Sequence, residues 1–151
     1  MSEWGLTTRV RAVVTLRNGA LYPGYLHLMD GVHAGVPESP LEMLNRPGGF
    51  FPLTLDDGSV SFLSKAQVAT VAPEWPLEGI EAWTLPGRRV RLMVTLTGGE
   101  QLVGDVTVSG PVGHNRPIDH LNGAGPFFEL ELGSGRRLLH GAWVSVIRPL
   151  D

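Results

Sequence analysis

Two octapeptides give the strongest indication of the fold: RVRAVVTL at residues 9–16 returns almost unchanged as RVRLMVTL at residues 89–96. In both, an apolar residue occupies every second position, which is the period of a half-buried β-strand. The match continues downstream, where LNRPGGFF at residues 44–51 corresponds to LNGAGPFF at residues 121–128. Repetition at a long, nearly constant spacing indicates that each copy is one folding unit.

A third pair of matching segments, VATVAP at residues 68–73 and VSVIRP at residues 144–149, ends each copy. The sequence therefore predicts two domains, residues 1–76 and 88–151, joined by a linker at residues 77–87. Units of about 65 residues bury only about 60% of their unfolded surface and are marginally stable alone. We therefore expect the two copies to pack on each other or on a partner.

The segments between these matches predict the remaining elements. Asn18-Gly19 and Gly98-Gly99 are residues that tight hairpin turns require, so a second strand follows the first in each copy. Ser39, Pro40 and Glu42 form the start of a helix with a capping box, and residues 117–123 keep its Pro and its Asn stop. Three more strands are predicted in each copy, at residues 50–55, 60–64 and 67–72 and at residues 127–132, 136–140 and 143–148. The prediction is an all-β protein of two tandem five-stranded small β-barrels, each with one short helical turn between strands 2 and 3.

Two segments resemble motifs of a known family. GYLHLMD at residues 24–30 is similar to the first Sm motif, and LHGAWVSVI at residues 139–147 is similar to the second. The resemblance implies small barrels of the Sm-like or SH3-like kind. The Asn that contacts RNA in the Sm family is replaced by Ala34, and in the second copy Gly110 replaces the Asp. The usual RNA pocket of that family is therefore not carried over.

Composition restricts the function classes. The chain has no Cys, so disulfides and thiolate metal sites are absent and a reducing compartment is indicated. No secretory signal and no apolar run near the roughly 20 residues of a membrane span is visible. These features predict a cytoplasmic protein that does not enter membranes. The net charge of −3 provides no general attraction to nucleic acid.

Four arginines share one strand face in the two copies: Arg9, Arg11, Arg89 and Arg91. Guanidinium groups in such a cluster could hold phosphates, which makes this face a candidate anion or nucleic-acid site. The alternative is the solvated outer face of a barrel strand. The repetition of Arg-x-Arg in both copies supports the binding hypothesis.

The four tryptophans, Trp4, Trp75, Trp83 and Trp143, are candidate partner-binding residues because Trp is enriched at interfaces. The alternative for Trp75 and Trp83 is that they seal the join between the copies. In Phe50-Phe51 and Phe127-Phe128, alternation predicts one ring pointing inward and the other outward, the outward ring packing over a barrel end or the neighbouring barrel.

Catalytic and metal-binding patterns are lacking in the sequence. His27, His33, His114, His120 and Asp119 have no zinc-ligand spacing. No nucleophile elbow or phosphate-binding loop occurs, and the motif of PilZ barrels is missing. We therefore expect no cofactor, no metal and no enzymatic activity.

The favoured hypothesis is a non-enzymatic adaptor that mediates protein–protein interaction or self-assembly. Nucleic-acid binding through the Arg-x-Arg face is the alternative. A small-ligand or enzymatic role in a cleft between the copies is the third hypothesis.

Overall fold

The computed structural model describes residues 7–30, 37–74, 87–110 and 116–150. The chain divides into two compact units, Met1–Trp75 (unit 1) and Pro76–Asp151 (unit 2). The domain bounds drawn from the sequence stay predictions. The predicted linker lies outside the described residues, apart from Gly87.

The described residues of unit 1 form five strands, one short helix and one 3-10 turn. In chain order these are β1 (Thr7–Leu16), β2 (Leu21–Met29), α1 (Pro40–Asn45), β3 (Phe50–Leu55), β4 (Val60–Ser64), the turn Lys65–Gln67 and β5 (Val68–Pro73). Unit 2 repeats this order as β6 (Arg88–Leu96), β7 (Gln101–Val108), α2 (Pro117–Gly123), β8 (Phe127–Leu132), β9 (Gly135–His140), the turn Gly141–Trp143 and β10 (Val144–Pro149). The all-β prediction is confirmed, and in each unit the helix lies between the second and third strands.

The strands of each unit are antiparallel. The hydrogen-bonded order is β5-β1-β2-β3-β4 in unit 1 and β10-β6-β7-β8-β9 in unit 2. In the part of the chain that the structure describes, neither set of five strands closes into the predicted barrel. Closure would require pairing of the first and last strands of each order, but among the described strands β4 pairs only with β3 and β10 only with β6, and a three-residue 3-10 turn joins β4 to β5 and β9 to β10.

Glycine allows two strands of each unit to approach closely. A Cβ atom on Gly24 of β2 would lie 2.4 Å from the backbone oxygen of Thr54, and one on Gly104 of β7 would lie 2.6 Å from that of Glu131. Both distances are far below van der Waals contact. The two glycines therefore permit β2 to meet β3, and β7 to meet β8, at close range.

Each sheet has one face buried in the core of its unit and one face turned outward. Inward residues of unit 1 include Val10, Val14, Leu26, Leu28, Met43, Leu44, Phe51, Leu53 and Leu63. In unit 2 the buried cluster consists of Val90, Leu92, Val94, Leu96, Val106, Val108, Phe128, Leu130 and Leu139. The inward ring of each Phe pair is thus Phe51 in unit 1 and Phe128 in unit 2.

A buried carboxylate fastens α1 to the end of β2. Glu38 is 2% exposed, and its Oε1 accepts a hydrogen bond of 2.9 Å from the backbone N–H of Met29. The Glu38 N–H in turn donates to the Met29 carbonyl at 3.0 Å, and Arg46 Nη2 lies 3.0 Å from the same Oε1. The predicted capping box then starts the helix, since Glu42 N donates to Ser39 Oγ at 3.1 Å. This arrangement positions the loop that leads into β3.

Candidate protein-binding surfaces

The outward face of β3 and β4 is apolar and exposed. Phe50 is 68% exposed and Phe62 is 66% exposed, and Val60 and Met29 are exposed beside them. Alternation places Phe50, Phe62 and Val60 outward, because Phe51, Leu53 and Leu63 occupy the inward positions of the same strands. Met29, at the end of β2, follows the inward Leu28 and is likewise outward. We call Phe50, Phe62, Val60 and Met29 the aromatic face. Large exposed apolar clusters of this kind mark interaction sites.

A cleft of about 510 Å³ lies next to this face. Met29, Met43 and Phe50 contribute apolar walls, and Arg46 and Lys65 stand among its polar residues. Lys65 is held in place by its ammonium group, which donates to the Arg46 carbonyl at 2.8 Å. Methionine side chains adapt their shape, so the cleft is suited to an apolar side chain of a partner.

Register identifies the equivalent positions in unit 2. Phe50 pairs with Ser64 and Pro52 with Phe62, whereas Phe127 pairs with His140 and Glu129 with Leu138. Phe50 therefore corresponds to Phe127, and Phe62 to Leu138. Although these positions are equivalent in the two copies, the two residues of unit 1 are exposed and the two residues of unit 2 are buried.

The outward face of β8 and β9 is buried. Phe127 is 0% exposed and Leu138 is 1% exposed. The Phe127 ring stacks on the His140 ring with centroids 4.5 Å apart. Burial also raises the pKa of Glu129, despite its ion pair of 3.4 Å with Arg136. The same surface is thus covered in unit 2 and open in unit 1.

A second exposed apolar surface lies in unit 2 between α2 and β10. It is a groove of about 570 Å³ whose lining includes Leu92, Ile118, Leu121, Val144 and Val146. Ile118 is 52% exposed and Val146 is 57% exposed. We call this surface the apolar groove. Its counterpart in unit 1, formed by α1 and β5, is buried along Pro40, Leu44 and residues 68–71.

The four arginines predicted as an anion site are engaged within their own units. Arg11 forms two hydrogen bonds with the Asp56 carboxylate, and these hold the pKa of Asp56 below its usual value. Arg89 lies 3.2 Å from Asp105 and 3.1 Å from Glu131, and Arg91 lies 3.3 Å from Asp105. Arg9 stacks over the Tyr25 ring, 4.4 Å from its centroid. Since carboxylates compensate three of the four charges, the face has little net positive potential to attract phosphates.

Three of the four tryptophans predicted to bind a partner, Trp4, Trp75 and Trp83, lie outside the described residues. Trp143 is partly buried in the 3-10 turn before β10, and its carbonyl accepts a hydrogen bond of 2.9 Å from Thr97. Its role in partner binding stays a prediction. The exposed phenylalanines of the aromatic face were missed as sites, because Phe50 belongs to a Phe-Phe pair that both copies contain and Phe62 belongs to no motif identified in the sequence.

His27 is a buried outward residue of β2, adjoining the aromatic face. Its Nε2 lies 2.7 Å from Thr54 Oγ1 and its Nδ1 lies 3.1 Å from Thr7 Oγ1. Burial, and then the nearby Arg9 charge, lower its pKa below the ordinary value of 6.5. His33 and His114 lie outside the described residues. Within the described ranges, no group of three or more His, Cys, Asp or Glu residues is placed to hold a metal ion.

The lowered pKa of His27 predicts a loss of stability in acid. Below pH 6.5 the unfolded chain protonates this residue before the folded chain does, so the unfolding free energy falls as the pH decreases through that range. Above pH 6.5 both states are neutral and the effect vanishes. Urea denaturation between pH 5 and pH 8 measures the trend. His27→Gln is expected to reduce this dependence of the unfolding free energy on pH, and the control His120→Gln is expected to retain it. If His27→Gln shows the same dependence as wild type, another group is responsible.

Comparison of the chain with protein-family models, with curated proteins and with solved structures gives no match. No helix in the described part of the chain is both long enough and apolar enough to cross a membrane.

Proposed function

We propose that the chain is a non-enzymatic protein-binding module, an adaptor built from two small units of the Sm-like or SH3-like barrel class. The observation that carries the proposal is the aromatic face, with Phe50 and Phe62 about two-thirds exposed. A free chain gains nothing in stability from exposed rings, whereas phenylalanine supplies a large apolar area to an interface.

The surroundings of the face fit a protein partner. Apolar residues occupy its centre, and Asp30, Arg46 and Lys65 lie among the cleft residues beside it. An apolar centre with charged residues nearby is the general anatomy of protein interfaces. In addition, β4 pairs only with β3 among the described strands, so its outer edge offers backbone groups for strand addition.

Nucleic-acid binding through Arg9, Arg11, Arg89 and Arg91 receives less support. Phosphate binding would have to displace Asp56, Asp105 and Glu131 from their guanidinium partners. We therefore place this alternative second to protein binding.

The test is capture of partners by the full-length tagged chain from its native cells. Phe50→Ser with Phe62→Ser is expected to reduce specifically bound protein at least tenfold, because truncating the central aromatic residues of an interface removes most of its affinity. Leu21→Ser is the matched control, since Leu21 is 64% exposed on the same outward face but pairs with Thr15 at the far end of β2. Equal binding by wild type and the double variant would overturn the proposal.

A further inference from the structure

The two exposed apolar surfaces are counterparts of two buried ones. The aromatic face of unit 1 corresponds to the buried surface around Phe127 and Leu138. The apolar groove of unit 2 corresponds to the buried surface between α1 and β5, where Thr70 is 5% exposed at the position of Val146. Each kind of surface therefore occurs once covered and once open in a single chain.

The two open surfaces also complement each other in shape and chemistry. The aromatic face projects two phenyl rings, and the apolar groove is a concave volume of about 570 Å³ lined by aliphatic side chains. Among the described strands, β4 pairs only with β3, and β10 pairs only with β6. Each open surface therefore borders a strand edge with backbone N–H and C=O groups available for a further strand.

Charge favours one orientation of these two edges. If β10 of one chain adds to β4 of another in the antiparallel sense, its carboxyl end meets the turn before β4. Arg148 is exposed at that end of β10, and Asp56 and Asp57 form that turn. At the equivalent positions of the other unit the sequence has uncharged residues, Ala72 for Arg148 and Ser134 for Asp57. Opposite charges thus occur at the two open edges and are absent from the equivalent positions of the other unit.

We propose that the partner of the aromatic face is a second copy of this chain. Phe50 and Phe62 of one copy enter the apolar groove of the next copy, and β4 adds to β10 as an antiparallel strand, with Arg148 beside Asp57. This inference rests on the proposed function, because it names the partner of the same face. The two contact surfaces differ and lie on different units, so the association is head-to-tail.

The experiment is sedimentation velocity of the full-length chain over a wide concentration range. Wild type is expected to associate, and Phe62→Glu and Val146→Glu are each expected to weaken association by on the order of 30-fold or more, as for an interface hot spot. The decisive sample is an equimolar mixture of the two variants. Each variant keeps the surface that the other has lost, so the mixture forms a dimer and nothing larger.

Two further sets of variants sharpen the result. Asp57→Arg and Arg148→Asp are each expected to weaken association, and the double variant to restore it. Val103→Glu introduces the same charge at an exposed position of β7, outside both surfaces, and is expected to associate like wild type. Circular dichroism of every variant establishes that it is folded.

Several outcomes would overturn the inference. These are a monomeric wild type at all concentrations, an equimolar mixture that stays monomeric, or either single variant forming dimers as readily as wild type. If wild type is monomeric while capture of another protein still depends on Phe50 and Phe62, self-association is wrong and the proposed function stands. If wild type is monomeric and also captures no protein through Phe50 and Phe62, the proposed function is wrong as well.

Discussion

Phe128→Ala is expected to lower the free energy of unfolding of unit 2 by about 3–5 kcal/mol. Phe128 is 5% exposed and belongs to the same buried cluster as Leu92, Leu130 and Leu139. Removing the ring leaves a cavity that surrounding side chains fill only in part, which adds to the lost transfer free energy. Since small domains are stabilised by only about 5–15 kcal/mol, the loss is a large part of the total.

Urea denaturation followed by circular dichroism measures this effect, and the midpoint is expected to fall by roughly 1–3 M. Phe50→Ala is the matched control, because it removes the same atoms from a ring that is 68% exposed. Its unfolding free energy, measured at low protein concentration, is expected to stay within about 0.5 kcal/mol of wild type. Equal losses in both variants would contradict the assignment of Phe128 to the core and Phe50 to the surface.

Glu38→Ala is expected to lower the free energy of unfolding of unit 1 by about 2–3 kcal/mol. The substitution removes the acceptor of the Met29 N–H, and it removes the ion pair with Arg46. A partly buried donor without an acceptor is incompletely solvated in the folded chain, and this is the larger part of the loss. We expect the Met29 amide to exchange with solvent faster than in wild type.

Glu38→Gln separates the two contributions. Glutamine retains a carbonyl oxygen for the Met29 N–H and loses only the charge, so its loss is expected to be about 1 kcal/mol. Amide exchange by NMR gives the second measurement, in which Glu38→Gln keeps the protection of Met29. A Glu38→Ala protein with wild-type stability and a protected Met29 amide would show that the hydrogen bond between Met29 and Glu38 does not stabilise unit 1.

The strands and helices were predictable because they depend on local patterns. Alternating apolar residues, hairpin glycines and the capping box at Ser39 each determine structure within a few residues. Barrel closure depends instead on contacts between strands that are distant in sequence. The three-residue turn between β4 and β5 gives no sequence signal for or against such contacts, so the closed barrel was predicted and is not observed in the described part of the chain.

The candidate sites were less predictable for the same reason. Phe50 and Phe127 occupy one repeated motif, and nothing local distinguishes an exposed ring from a buried one. Likewise, Arg-x-Arg gives no indication of Asp56 or Asp105, which lie 45 and 14 residues away from Arg11 and Arg91. The pairing of neighbouring strands determines which arginines are left to bind a ligand. A pattern along a single strand carries no information about that pairing.

The separation of the aromatic face and the apolar groove on different units has a consequence for mixed populations. In the proposed head-to-tail association, a copy damaged at one surface still joins an assembly through the other and then blocks further growth at that end. Chains with a substitution at Phe62 would therefore act as terminators and shorten assemblies of wild-type copies in proportion to their amount. A defect at this surface would be dominant over the intact chain, unlike a defect in the core, which removes only the copy that carries it.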